Sequence, residues 1–295
     1  MDSESDLSDV EAPTPSFAEV WRGRRVHWQD RSTWFGALET WLEREWRPGG
    51  KARLQKRKLD LCWDDSEWLD ALECHVQPSV ETLIEGLADE LAKAKLRTFY
   101  GCRVPDAGVF HREGLRRNDP AELEALARRL VAEHDDLAWM RQNIEAIIAG
   151  FDDRERDTGR LYVSADERPQ LDHSGHYLLF GSEWLQCLLG PGARRALKRY
   201  GTPTVVEVDL PFDWASEETR REFARHLLQE WTRVFVTGET FSPALDFSVT
   251  LLRDIPAEMV VGHSHPRMLK NPFMQYRTER TANPTCPHCV GSANA

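Results

Sequence analysis

The spacing of apolar residues changes along this chain near residue 96, and that change limits the folds open to it. Before it, Trp34, Leu38, Trp41 and Leu42 recur at intervals of three and four residues, the spacing of an amphipathic helix. After it, short segments of strand-like character alternate with helical segments. Strands separated by helices of unequal length predict an α+β domain with a helical region in front of it.

The predicted organisation has four parts. Residues 1–16 are acidic and polar, so we expect them to be disordered. Residues 17–95 are expected to form a helical, Trp-rich subdomain, residues 96–270 the α+β domain, and residues 271–295 an irregular tail. The seven Trp between positions 21 and 68 follow helical spacing, which favours packing anchors over an exposed binding platform.

Breakers and capping residues mark the expected ends of the elements. Gly114 should end a short helix, and Asp119 followed by Pro120 should begin a long one, because Asp caps helices and Pro fits their first turn. Pro48 and the two Gly after it should stop the first helix. We expect strands at residues 96–104, 161–164, 204–210 and 247–252, and further helices at residues 80–96, 175–189 and 216–236.

Composition and charge disfavour several classes of protein. The acidic start has neither the basic residues nor the apolar stretch of a secretory signal, so we expect a cytoplasmic protein with reduced Cys. No apolar run approaches the ~20 residues that cross a bilayer, and we expect no membrane partner. A net charge of −11 disfavours nonspecific nucleic-acid binding through the whole surface. The basic segment 51–58 is either a solvated helix face or a local patch for a partner.

Cys and His near the C-terminal end are spaced like metal ligands. A His-Ser-His segment at residues 263–265 is followed by Cys-Pro-His-Cys at residues 286–289. Thiolate and imidazole are the ligands that tetrahedral zinc prefers, and C-x-x-C lets two sulfurs reach one ion. One interpretation is a structural zinc bound by His263, His265, Cys286 and Cys289. The other is a flexible tail, because the segment between the two pairs is long and irregular.

The order of the remaining polar and aromatic residues carries a weaker signal, since the Walker, dinucleotide, His-Glu-x-x-His and nucleophile-elbow motifs are missing. Phe-Tyr-Gly-Cys-Arg at residues 99–103 precedes a helix and a Gly-Leu turn. A second strand, Leu-Tyr-Val-Ser at residues 161–164, precedes a helix with Tyr177. Asp246 leads into a late strand, followed by a Pro- and Glu-containing turn at residues 254–262. Over roughly residues 96–265 this order resembles the ADP-ribosyltransferase fold of diphtheria-type toxins, poly(ADP-ribose) polymerases and RNA 2′-phosphotransferases.

The resemblance implies a split-sheet domain with NAD as its substrate. The reaction would transfer ADP-ribose to protein or nucleic acid, or hydrolyse NAD. Asp246, or alternatively Glu239, would stabilise the oxocarbenium-like charge that develops on the ribose. The family also implies a bacterial toxin or an antiphage-defence effector as the biological setting.

The resemblance further implies which residues bind NAD. Tyr162 and Tyr177 would stack on the nicotinamide, with Ser164 and His176 as hydrogen-bonding partners. One of two residues of the first strand would contact the adenosine ribose or diphosphate. The candidates are Tyr100, where diphtheria-type members have His, and Arg103. The alternative to an enzyme is a noncatalytic module that binds protein or nucleic acid through the Trp-rich helices and segment 51–58.

Overall fold

The computed structural model describes residues 19–281 and 286–292, which form a mixed α/β fold around an antiparallel sheet. The disorder expected for residues 1–16 lies outside the described residues. The strands of the main sheet are β1 (Arg25–Val26), β2 (Lys95–Val104), β3 (Leu161–Ser164), β4 (Thr202–Pro211), β5 (Ser248–Leu251) and β6 (Val260–Ser264). A separate hairpin consists of β7 (Met268–Asn271) and β8 (Arg277–Arg280).

The helices lie between these strands and on both faces of the sheet. They are α1 (Phe35–Leu42), α2 (Gly50–Gln55), α3 (Glu67–Glu73), α4 (Val80–Leu91), α5 (Gly108–Glu113), α6 (Pro120–Glu133), α7 (Ile144–Ala149), α8 (Arg168–Asp172), α9 (His176–Phe180), α10 (Glu183–Leu189), α11 (Arg194–Leu197), α12 (Glu217–Thr237) and α13 (Pro287–Ser292).

The main sheet has the order β5-β3-β2-β4-β6, with β1 parallel to the start of β2. Strands β2 and β4 pair along their full length, from Lys95 opposite Pro211 to Val104 opposite Thr202. Strands β2 and β3, in contrast, pair only at Phe99 opposite Ser164. The sheet therefore consists of a β5-β3 part and a β2-β4-β6 part that meet at one residue pair.

One face of the sheet, which we call the Trp face, carries the alternate residues Leu96, Val206 and Val208 and packs against the N-terminal helices and α12. Trp21, Trp28, Trp34, Trp41 and Trp68 are all buried, whereas Trp46 is half-buried and Trp63 is exposed. This confirms the packing role predicted from their spacing. It also leaves five of the seven Trp without a surface to offer a partner.

Helix α12 shows why this layer forms where it does. Ser216 accepts a hydrogen bond from the Thr219 N–H at 3.1 Å, and Gly238 ends the helix with φ of +69°. Phe223, Leu227 and Trp231 follow at intervals of four residues and are fully buried against the sheet. Burying a large apolar side chain contributes about 1.5–3 kcal/mol, so this stripe holds the helix in place.

The opposite face, which we call the Tyr face, carries Phe99, Val205, Tyr162 and Ser164. A second apolar cluster from α6, α9, α10 and α11 covers the Phe99 and Val205 part of it. Since side chains alternate along a strand, neighbours in sequence lie on opposite faces, and this decides which predicted site residues can meet.

Several expected elements differ in the structure. The helix expected at residues 175–189 is divided into α9 and α10 by Gly181, whose φ of +79° interrupts a right-handed helix. Gly50, expected to follow the end of a helix, begins α2. The tail expected to be irregular from residue 271 contains the end of β7, strand β8 and helix α13.

The N-terminal helices form a layer of the same core as the sheet. The apolar cluster on the Trp face runs without a break from Trp21 and Leu42 through Leu96 to Trp231. Strand β1 also joins the main sheet. Residues 19–95 therefore pack as a cap on the sheet.

Candidate functional site

Strand β3 places Tyr162 and Ser164 on the Tyr face, beside the junction of the two sheet parts. Ser164 lies opposite Phe99 on one side and Ser248 on the other. Its hydroxyl lies 2.5 Å from the Gln170 amide nitrogen, which donates to it, and donates to the Asp166 carbonyl at 2.9 Å. Ser164 therefore links three strands and the start of α8 at the point where the sheet divides.

Tyr162 and Tyr177 are connected through a chain of three charged residues. The Tyr162 hydroxyl donates to Asp157 at 2.6 Å, and the Tyr177 hydroxyl donates to Glu183 at 2.9 Å. Arg156 joins the two acids, at 3.7 Å from Asp157 and 3.1 Å from Glu183. Each of the two residues is more than one-third exposed although its hydroxyl is anchored.

Burial and neighbouring acidic residues raise the pKa of both tyrosine hydroxyls. Burial, and then the negative charge of Glu183, raise the pKa of Tyr177. Burial and the hydrogen bond to Asp157 raise the pKa of Tyr162. His176 stacks near Tyr177 at 4.0 Å between ring centroids, and burial lowers the pKa of its imidazole, which therefore favours the neutral form.

Asp246 lies on the same side of the sheet as Ser164. The chain before β5 continues the strand alternation, because Leu245, Phe247 and Val249 are buried whereas Asp246 and Ser248 are exposed. The Ala165 N–H donates to the Phe247 carbonyl at 3.0 Å, so this pairing extends beyond the strand ends. The carboxylate of Asp246 has no hydrogen-bond or ion-pair partner among the described residues.

Glu239, the alternative acid, has a structural role that removes it from this site. It lies in the loop after α12, and its carboxylate pairs with the buried guanidinium of Arg233. Arg233 also binds Glu230 and the Phe241 carbonyl, so the pair ties the loop to the helix. The structure therefore gives Glu239 an ion pair in this loop, in contrast to the unpaired carboxylate of Asp246 among the described residues.

Arg103 does not line this site either. Its guanidinium donates to the carbonyls of Tyr200, Leu178, Lys198 and Gly201 at 2.6–3.0 Å, using four of its five N–H groups. The residue is 9% exposed, and burial lowers its pKa to about 10. A nucleotide diphosphate would have to displace these backbone partners to contact Arg103.

Tyr100 lies on the other side of the sheet from Tyr162. Its ring contacts Phe110 edge to face at 6.3 Å and packs against the apolar cluster of the Trp face. Burial raises the pKa of its hydroxyl. Since Phe99 faces the Ser164 side, its neighbour Tyr100 faces away from Tyr162 and Ser164.

A charged group that the sequence analysis did not single out also lies on the Tyr face. Arg97 pairs with Glu207 and with Asp209, both at 2.8 Å, and its side chain is only 11% exposed. Burial, and then the neighbouring Glu207 and Asp166 carboxylates, raise the pKa of Glu167. Side chains alternate between the two faces along a strand, so β2 and β4 place Arg97, Glu207 and Asp209 on one face. This alternation of polar residues was visible in the sequence.

The four predicted metal ligands come together at the edge of the sheet, on the Trp face. The ligand atoms of His263, His265, Cys286 and Cys289 all lie within 4.8 Å of one another, and we call this group the His/Cys cluster. Two further imidazoles, His111 and His288, pack beside it. His288 lies within the C-x-x-C segment and could have been noticed there; His111 on α5 has no such signal.

A basic cavity of about 590 Å³ lies between α11 and the β7–β8 hairpin. Besides Arg103, its cationic lining residues are Arg194, Arg195, Lys198, Arg199 and Arg280. The guanidinium of Arg194 lies 3.7 Å from the centroid of the Phe273 ring. Asp136 and Glu279 pair with three of the cations, whereas Arg194 and Arg280 have no acidic partner among the described residues.

The comparisons with known proteins leave these sites to be judged on their own geometry. No described helix is both long and apolar enough to span a bilayer. Comparison of the chain with protein-family models, curated proteins and solved structures found no match.

Proposed function

We propose that this protein is an NAD-consuming enzyme of ADP-ribosyltransferase type, acting on the Tyr face at the junction of the two sheet parts. One observation carries the proposal: Tyr162, Ser164 and Asp246 lie on the same side of the sheet, next to the single β2–β3 pair. Tyr177 is joined to Tyr162 through anchored acids. A sheet that divides at this point is also what the sequence resemblance implies.

The roles follow from the chemistry of each side chain. The partly exposed rings of Tyr162 and Tyr177 offer stacking surface for the nicotinamide, and their anchored hydroxyls limit ring motion. Cleavage of the nicotinamide–ribose bond develops positive charge on the ribose. Asp246 is the carboxylate that would stabilise that charge, and it is available because it has no partner among the described residues. Ser164 and His176 supply hydrogen bonds beside it.

The acceptor of the ADP-ribose is a protein, a nucleic acid or water. The setting that the resemblance implies is a bacterial toxin or an antiphage-defence effector. The proposed site leaves out Tyr100, Arg103 and Glu239, so Asp246 is its single acid from the predicted set.

The test is release of nicotinamide from NAD by the full-length protein, with and without a cell lysate as a source of acceptors. Asp246→Asn should lower kcat by roughly 10²–10³, the usual effect of removing one electrostatic contact to the transition state. Tyr162→Ala should chiefly raise KM. The matched control is Asp213→Asn, because Asp213 is an exposed acid in the 3-10 turn after β4. Wild-type protein that releases no nicotinamide, or an Asp246→Asn variant as active as the control, would count against the proposal.

The basic cavity favours a second candidate function, binding of single-stranded nucleic acid. Cations without acidic partners attract phosphates, and Phe273, which is 47% exposed, can stack on a base. We expect Arg194→Ala or Arg280→Ala to weaken binding of a labelled oligonucleotide and to reduce its salt slope by about one each. Arg25→Ala is the control, since Arg25 is exposed and lies outside the cavity. Equal binding by all variants would rule this candidate out.

A further inference from the structure

Two chain segments far apart in sequence supply the His/Cys cluster. His263 lies in edge strand β6, and His265 follows two residues later, so that both rings lie 5.0 Å apart between centroids. Cys286 precedes α13, and Cys289 lies in its first turn, which brings the two sulfurs to the same side of the helix. Each pair is local, whereas their meeting is a product of the fold.

The ring of His265 is held in the orientation and tautomer that a metal ligand needs. Its Nδ1 lies 2.9 Å from the Pro203 carbonyl and 3.3 Å from the Thr204 hydroxyl. A carbonyl can only accept, so Nδ1 carries the proton and Nε2 carries the lone pair. Nε2 is buried and has no hydrogen-bond partner among the described residues. Leaving a buried acceptor without a partner destabilises the fold, and a bound cation would supply the missing partner.

His263 has the second feature of a metal ligand, a partner on its other nitrogen. Its Nε2 lies 3.2 Å from the Cys289 sulfur, and its Nδ1 lies 3.0 Å from Nε2 of His111. With Nε2 directed at the metal, Nδ1–H donates to His111, which then orients the ring without binding the ion. Outer hydrogen bonds of this kind usually accompany His ligands.

We propose that the His/Cys cluster binds one structural zinc ion, which fastens the C-terminal segment to edge strand β6. Around tetrahedral zinc, with Zn–S of about 2.3 Å and Zn–N of about 2.1 Å, ligand atoms lie roughly 3.3–3.8 Å apart. The separations of up to 4.8 Å in the cluster need only a small contraction. Two thiolates and two imidazoles fill all four positions, which is the pattern of a structural site.

The alternative ligand set contains three imidazoles, from His111, His263 and His288, whose ligand atoms also lie within 4.8 Å of one another. Both sets share His263, so one ion cannot use both completely. The unpartnered Nε2 of His265 and the two sulfurs favour the His/Cys cluster, because thiolates bind zinc more strongly than a third imidazole. The two sets make opposite predictions for variants.

The experiment measures metal in the full-length protein and in three variants. We expect about one zinc per chain in the wild type, less than about 0.2 in Cys286→Ser/Cys289→Ser, and near-normal content in His111→Ala. Cys187→Ser is the matched control, because Cys187 is an exposed Cys outside the cluster. Cobalt exchanged for zinc should show a thiolate-to-cobalt charge-transfer band that the double variant lacks.

Three results would overturn the proposal. The first is a wild type that holds no zinc after reconstitution and gives no cobalt–thiolate band. The second is full metal content in the double Cys variant together with its loss in His111→Ala, which would assign the metal to the three imidazoles. The third is loss of zinc in the Cys187→Ser control. None of these readouts uses NAD, so failure here and failure of the proposed enzymatic function are distinguishable.

Discussion

Arg103 provides a direct test of a structural role against the nucleotide contact expected from the sequence. The perturbation is Arg103→Met, which keeps a long apolar side chain but removes every donor. In the folded protein the guanidinium donates to the Leu178 carbonyl of α9 and to three backbone carbonyls around the turn that leads into β4. The variant measures how much these four hydrogen bonds contribute to the free energy of unfolding.

The expected magnitude follows from those four bonds. A hydrogen bond to a charged group contributes about 1.5–3 kcal/mol, and leaving a buried partner unsatisfied costs about 1–3 kcal/mol. The four are not additive, and removing a buried charge relieves some desolvation. We therefore expect Arg103→Met to lower the free energy of unfolding by about 3–5 kcal/mol. Arg103→Lys should recover less than half of that, because an ammonium lacks the planar fork.

Chemical denaturation followed by Trp fluorescence measures this loss. Arg112→Met is the control: its side chain is 61% exposed and pairs with Asp106 on the surface, so the change should be below about 1 kcal/mol. If Arg103→Met unfolds like the control while NAD binding falls, the structural assignment is refuted and the nucleotide contact is restored.

Further predictions concern the core, one turn and one buried acid. Trp231→Ala should lower the free energy of unfolding by about 3–5 kcal/mol, because this side chain is fully buried. Trp63 is 43% exposed, so Trp63→Ala should lower it by less than about 1 kcal/mol. Both losses are read from denaturant midpoints. Gly114→Ala should express poorly and unfold early in thermal melts, since φ is +78° and the new methyl would overlap the Ile255 carbonyl. Burial alone would raise the pKa of Asp166. Hydrogen bonds from the Arg168 guanidinium and from the backbone N–H groups of Arg168 and Leu245 outweigh burial and hold this pKa below its usual range. The stabilisation by the ionised Asp166 carboxylate is fully present above its unfolded pKa of about 3.9, and it is lost as the pH falls through its lower folded-state pKa. The difference in stability between wild type and Asp166→Asn should therefore shrink on acidification.

Local patterns predicted most of the elements. Strand β2 occupies Lys95–Val104, against the expected 96–104, and Asp119 caps α6 by accepting from the Ala121 N–H at 2.9 Å. These features depend on neighbours within a few residues, which the sequence displays directly. Gly181 was missed as a break because Gly is tolerated inside a helical pattern until packing selects its positive φ.

The failures in the candidate site have a different cause. Which face a strand residue occupies depends on register, and the single pair of Phe99 with Ser164 is a tertiary fact that places Tyr100 on the wrong side. The partners of Arg103 lie 75–98 residues away, so no local pattern could reveal that its donors are used. Both cysteines and both imidazoles of the His/Cys cluster were visible in the sequence, but the intervening β7–β8 hairpin was not recognised as the connection between the two pairs.

The two proposed sites lie at opposite ends of the strand order, and this separates their effects. The NAD site uses β3 and β5, whereas the zinc site lies against β6, and four inter-strand spacings of about 4.8 Å put roughly 19 Å between β5 and β6. They also lie on opposite faces of the sheet. Substitutions more than about 10 Å apart without shared partners are usually additive within about 0.5 kcal/mol. Loss of zinc should therefore lower the stability of the protein without changing the KM for NAD of the molecules that remain folded. A specific loss of catalysis on zinc removal would contradict this independence. It would mean that β4, the strand between β2 and β6, transmits a change of register across the sheet.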